Sequence, residues 1–190
     1  MKMSGGLFGT LAGFAALLAL GACTGAPPAK TAAAARPLVA PASLGGDRTV
    51  SQVVRGAYGA RDFTFNCVVT VKDGEMTLVG MNSLGLRLFT IRYDGKQVQS
   101  ETAPAMQAPV MPERLLADMQ LVFWPIASLE KPLRDAGWQL SEPTPGIRRL
   151  RHGEQLAAEA HYSGGDPWSG RSWLVSLEYG YSLQIDSQAM

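Results

Sequence analysis

The chain has few reactive side chains. Its 190 residues include only two cysteines, Cys23 and Cys67, and two histidines, His152 and His161. The separation of the histidines matches no metal-binding motif. Ser83 sits in Gly80-Met81-Asn82-Ser83-Leu84-Gly85, which is not the Gly-x-Ser-x-Gly elbow of hydrolases. No nucleophile–base pair, metal or cofactor is expected, and a weak enzyme, a thioester or ester hydrolase, is the third reading. An excess of either charge is also missing. Seventeen Lys and Arg face sixteen Asp and Glu, and the balance is even once Lys2 is removed with a leader. This argues against nucleic acid, which calls for a basic surplus. No apolar run spans a bilayer comfortably: the stretch from Leu7 to Leu20 is too short and ends in small residues.

That short run, after Lys2, reads as a cleaved secretory signal over residues 1–22. Leu20-Gly21-Ala22-Cys23 resembles the lipobox of bacterial lipoproteins, which implies that Cys23 is acylated and becomes the new N-terminus. Each buried acyl methylene adds ~0.8 kcal/mol, so several chains on one residue anchor durably. Thr24, in place of aspartate, implies the outer membrane, with the protein facing the periplasm. Residues 23–46 are rich in Ala, Pro and Gly and read as a flexible tether. About twenty such residues reach on the order of 25 Å as a coil.

Residues 47–190 suit one domain. If Cys23 carries lipid, Cys67 has no partner in the chain. It alternates onto the more apolar face of its strand, where a free thiol packs as a small hydrophobe. Period-two alternation predicts strands over 48–58, 62–71, 76–81, 87–93 and 96–101, with hairpin turns at Asp73-Gly74 and Asp94-Gly95. The middle changes to helical period. Pro112 opens a helix, Pro125 ends it, and Ser128 is a candidate cap for a second, short helix ending at Gly137. Strands resume over 138–140, 147–151 and 155–162. In the last run Trp173, Val175, Leu177, Tyr179, Tyr181, Leu183 and Ile185 share one parity, with a possible break near Gly180. The basic cluster Arg148-Arg149-Leu150-Arg151 reads as solvated strand ends or, alternatively, as a contact for anionic headgroups.

The expected architecture is mainly β (α+β): a half-open antiparallel barrel of nine or ten strands with a two-helix lid. Phe65, Val69, Phe89, Ile91, Val175, Leu177 and Tyr181 are expected to face inward, with Leu116, Met119 and Phe123 above them on the lid. Leu84 and Trp168 are candidate membrane or partner contacts, and Trp168 alternatively folds back on the core.

The stretch Leu78 to Phe89 resembles the signature of an uncharacterised outer-membrane lipoprotein family, a domain of unknown function. So do Leu115 to Leu121 with Trp124-Pro125, Gly137-Trp138 and Gly180 to Ile185. That family accompanies genes for aryl-polyene and related fatty-acid-like lipids. A more distant likeness is to the lipoprotein receptor LolB and its carrier LolA, whose open barrels receive acyl chains. There a loop leucine in the place of Leu84 helps to insert cargo. The resemblance implies a non-enzymatic outer-membrane lipoprotein that binds and helps deliver an acyl chain or lipid. The alternative is an adaptor docking on an envelope export machine, with its hollow filled by side chains.

Overall fold

The computed structural model describes residues 35–104, 106, 111–163 and 165–190. The signal segment, Cys23, Thr24 and the tether up to residue 34 lie outside the described residues. Ten strands form one antiparallel sheet: β1 (Arg48–Tyr58), β2 (Arg61–Lys72), β3 (Glu75–Met81), β4 (Arg87–Tyr93), β5 (Val98–Thr102), β6 (Trp138–Thr144), β7 (Ile147–His152), β8 (Gln155–Tyr162), β9 (Gly170–Ser176) and β10 (Tyr181–Ala189). Two helices, α1 (Pro112–Phe123) and α2 (Ile126–Asp135), lie between β5 and β6 in sequence. The spatial order is β5-β4-β3-β2-β1-β10-β9-β8-β7-β6. Two five-stranded meanders therefore join at the β1–β10 pair, where Val54 faces Ile185. Strands β5 and β6 are the free edges, so the sheet is open. Among the described residues no helix is long and apolar enough to cross a membrane.

Local chemistry accounts for the elements. Asp73 and Gly74 have φ of 53° and 79°, the left-handed pair that a two-residue hairpin demands. Pro112 stands in the first turn of α1, where its missing N–H costs nothing. The cap of α2 differs from expectation. Pro125 occupies that position, and the Ser128 hydroxyl instead donates to the Ser43 carbonyl at 2.9 Å.

Three sequence expectations are corrected. First, the tether ends early. Val39 and Pro41 are buried, and Pro41–Leu44 form a 3-10 turn against the domain. Residues 36–44 form a strap along α1, because α1 presents the polar groups of Asp118, Gln120 and Trp124, which pair with Arg36, Val39 and Ser43 of the strap. Second, the long apolar run from Trp173 is broken by a turn at 177–180, and its parity flips there. Ser176 pairs with Tyr181 and Leu174 with Leu183, so residues of opposite number share a face across the turn. In β9 the buried set is Ser172, Leu174 and Ser176; Trp173 and Val175 are on the outer face. Val175 and Leu177 are thus exposed rather than inward. Third, Arg148 is not solvated. It is 4 % exposed, and its Nη1 donates to the carbonyls of Leu121 (2.8 Å), Val122 (3.2 Å) and Trp124 (2.7 Å). A cation on those last carbonyls complements the negative end of the helix dipole.

Candidate functional site: a filled hollow and its mouth

The concave face of the sheet is where an apolar ligand would sit. Val50, Val54, Val69, Val71, Met76, Leu78, Phe89, Ile91 and Tyr93 line one half of it and are all buried. The other half is lined by smaller groups, Ala158, Ala160, Ser172, Ser176 and Ser187, also buried. Small side chains there leave room for α1. The helix is buried on every side from Leu116 to Phe123. It is therefore not a lid above the hollow but a plug inside it. Leu116, Met119 and Phe123 are each under 5 % exposed. Beside Arg36, Gln120, Leu121 and Leu150 the cavity left is about 10 Å³, room for one water at most, whereas a more open depression of about 430 Å³ lies at one end, lined by Gly56, Phe63, Trp173, Leu174, Val175 and Leu183.

The outer side of α1 carries polar groups, and the strap meets them. Asp118 accepts from Arg36 Nη2 at 2.5 Å and from the Tyr181 hydroxyl. The Val39 N–H donates to Gln120 Oε1 at 2.9 Å, and Gln120 Nε2 donates to the Val39 carbonyl at 2.7 Å. Trp124 Nε1 donates to Ser43 Oγ at 3.1 Å. Burial pushes the Asp118 carboxyl up, against the pull of Arg36 and Tyr181. For Arg36, burial works downward, but Asp118 outweighs it and holds the guanidinium above its ordinary value. Both groups are almost wholly enclosed, and the close, doubly donated contact favours the ion pair as the state of the latch. Burial, with the negative charge of Asp118, also raises the Tyr181 hydroxyl.

A ladder of rings leads into the hollow from one end. Phe63 stacks on Phe65 at 6.1 Å, and Phe65 meets Phe89 edge-on at 5.6 Å. Their exposure falls in that order, from half-exposed Phe63 to buried Phe89. The outermost and innermost rungs each rest on a cross-strand glycine. A Cβ on Gly56 would come within 2.1 Å of the Phe63 ring, and one on Gly80 within 2.2 Å of Phe89. The glycines are there because the rings need the space. Sequence reading did not single out Phe63, Gly56 or Gly80, although the Gly-aromatic register becomes visible once the strands are aligned.

The remaining candidates separate. Leu84 is 82 % exposed at the tip of the β3–β4 loop. Asn82 Oδ1 accepts from the N–H groups of Leu84 and Leu86, both at 3.0 Å, and so fixes the loop. Trp168 is no surface contact: it is 3 % exposed, packs on Phe123 at 4.7 Å, and donates from Nε1 to the Phe123 carbonyl at 3.0 Å. Its indole N–H finds a partner at the end of α1, which is why it turns inward. Cys67 is buried, and burial pushes its thiol up to about 12, so it is an inert core group at neutral pH. His161 pairs with Glu159 at 2.6 Å on the surface. No cluster of three or more His, Cys, Asp or Glu suited to a metal occurs among the described residues.

These features define a class: a mainly β protein with an open ten-stranded antiparallel sheet curved around a helix. The chain belongs to the family described as protein of unknown function (DUF3261), which it matches over residues 49–189. No curated protein matches it. A solved LolA superfamily protein from Nitrosomonas europaea is similar over 80 % of this chain and 92 % of its own, at 9 % identity and a TM-score of 0.42. A DUF1329 family protein from Desulfovibrio piger ATCC 29098 is similar over 75 % and 83 %, at 11 % identity and a TM-score of 0.35. Neither likeness says what this chain does.

Proposed function

We propose that the protein is a non-enzymatic lipoprotein, anchored through Cys23 in the outer membrane and facing the periplasm. Its curved sheet takes up an acyl chain or lipid, of the aryl-polyene type or a related fatty-acid-like kind, when α1 leaves the hollow. The observation behind the reading is the strap: the helix in the hollow is held on its outer side by only a few polar contacts, from Arg36, Val39 and Ser43. Apolar burial favours the plugged state, at about 25 cal/mol per Å² removed from water, and an acyl chain in the same place recovers the sheet's share of that term. Releasing the strap exchanges its hydrogen bonds for water, each worth only about 0.5–1.5 kcal/mol net. Buried Gln52 Oε1, without a hydrogen-bond partner among the described residues, gives the concave face a polar acceptor for a ligand hydroxyl.

Mass spectrometry of lipid co-purified from the native envelope tests this directly, together with binding of a fluorescent fatty acid. Unlatching the strap by Gln120→Ala is expected to raise probe affinity several-fold with the fold kept. Absence of lipid and of probe binding in both wild type and variant would sink the carrier. The adaptor reading then stands, and the filled interior is the observation that favours it. Metabolic labelling with a radioactive fatty acid tests the anchor separately; equal label in wild type and Cys23→Ala removes it.

A further inference from the structure

Five of the nine exposed large apolar side chains among the described residues gather at one end of the sheet. Strands β1, β3 and β9 run the same way through the antiparallel sheet, so the β1–β2 turn, the 82–86 loop and the 177–180 turn project from one end. That end carries Tyr58 and Phe63 on the first, Leu84 and Leu86 on the second, and Leu177 on the third, all exposed. Exposed Arg61, Asp62 and Arg87 flank them at the same end, whereas the turns of the opposite end, at 73–74, 94–97 and 145–146 with the 163–169 loop, show exposed Asp73, Asp94, Lys96 and Asp166 and no exposed large apolar side chain. Single exposed leucines need no explanation, but a cluster contributed by three separate turns marks a contact surface.

The strap enters at the same apolar end. Arg36 meets Asp118, which in turn holds the Tyr181 hydroxyl, and Tyr181 directly follows the 177–180 turn. From there the strap runs toward the charged end, where Ala40 and Pro41 pack beside Gly95. Whatever precedes Ala35 is therefore delivered to the apolar end. Eleven residues lie between Cys23 and Ala35, a length that spans roughly 20 Å as a coil, too short to carry the domain far from its anchor.

We infer that this end of the domain, Tyr58, Phe63, Leu84, Leu86 and Leu177 together, seats on the surface of a phospholipid bilayer. The mouth of the ring ladder then opens onto the membrane. The inference rests on the proposed anchor for its geometry but not on acyl uptake, since an adaptor held by the same tether would seat in the same way.

The test uses the full chain in vesicles of phosphatidylethanolamine and phosphatidylglycerol. Spin labels are placed one at a time by Leu84→Cys, Leu177→Cys and, at the charged end, Lys96→Cys; Cys67 is too buried to react, and the unsubstituted protein serves as the blank. Collision with oxygen, which concentrates in lipid, is compared with collision with a water-soluble nickel chelate. Labels at 84 and 177 are expected to gain oxygen contact and lose nickel contact, while the label at 96 stays in water. Leu84→Ser with Leu86→Ser should return the label at 177 toward water, by roughly tenfold in occupancy per leucine removed. Nickel contact at 84 and 177 equal to that at 96 overturns the proposal. Loss of contact with both reagents also overturns it, because that marks burial against protein. Acyl-probe binding is read on the same samples, so failure of the carrier reading is seen separately.

Discussion

The two meanders differ in how they fill the same hollow. In β1–β4 the inner face is largely Val, Met, Leu, Phe, Ile and Tyr, and alternate residues mostly fall in and out as their polarity suggests. In β7–β9 the inner face is mostly Ala, Ser, single leucines and a buried arginine, with larger groups confined to Trp138 of β6 and Tyr181 and Ile185 of β10, while Trp173 and Val175 face out. The reason is α1. Its bulk, with Trp124, Trp138 and Trp168 around it, occupies the volume that strand side chains fill on the other side. Side-chain size on a curved sheet is set by what packs against it, and hydrophobicity alone does not report which face is inside.

The strongest way to break this comparison is to remove the bulk. Trp124→Ala deletes a fully buried ring and its hydrogen bond to Ser43; it should cost about 3–5 kcal/mol in urea-induced unfolding. A loss below 1 kcal/mol would mean that α1 is not a structural plug. Arg148→Met is next. It strips three carbonyls of their donor and leaves Glu142 half-buried, and a loss of about 3 kcal/mol is expected from the same measurement.

The register of β9 separates two neighbours. Leu174→Ala should lose about 2–4 kcal/mol, whereas Val175→Ala should stay within about 0.5 kcal/mol. Reversal of that order would restore the single-parity reading of the run. A smaller effect concerns pH. Burial pushes the Glu142 carboxyl up, but the Gly146 N–H, the Tyr162 hydroxyl and Arg148 together outweigh it and hold it below its ordinary value. A carboxyl depressed on folding stabilises above its unfolded pKa and loses that contribution as pH falls through the folded one. Unfolding midpoints should therefore drop on acidification from about pH 5 downward, and Glu142→Gln should flatten that slope. An unchanged slope would show that Glu142 does not contribute to it.

Much of the fold was legible. Alternation in 62–71 and 87–93, the Asp-Gly turns and the prolines bracketing α1 are local signals, written in residues that touch one another along the chain. The parity of 173–177 was not, because a four-residue turn resets the face and its length shows only when Ser176 is seen opposite Tyr181. Leu84 is exposed as its loop composition suggested, but its grouping with Tyr58, Phe63, Leu86 and Leu177 needed the strand order. The sequence by itself settled the strands, the helices and their order, since these follow from short-range periodicity and turn chemistry. Only the tertiary structure decided that α1 lies inside the sheet, that Arg36 and Val39 strap it there, and that Arg148 and Trp168 turn inward to meet its end. Those choices depend on satisfying buried polar groups across the fold, such as Arg36 with Asp118, 82 positions apart, and no local pattern encodes that pairing.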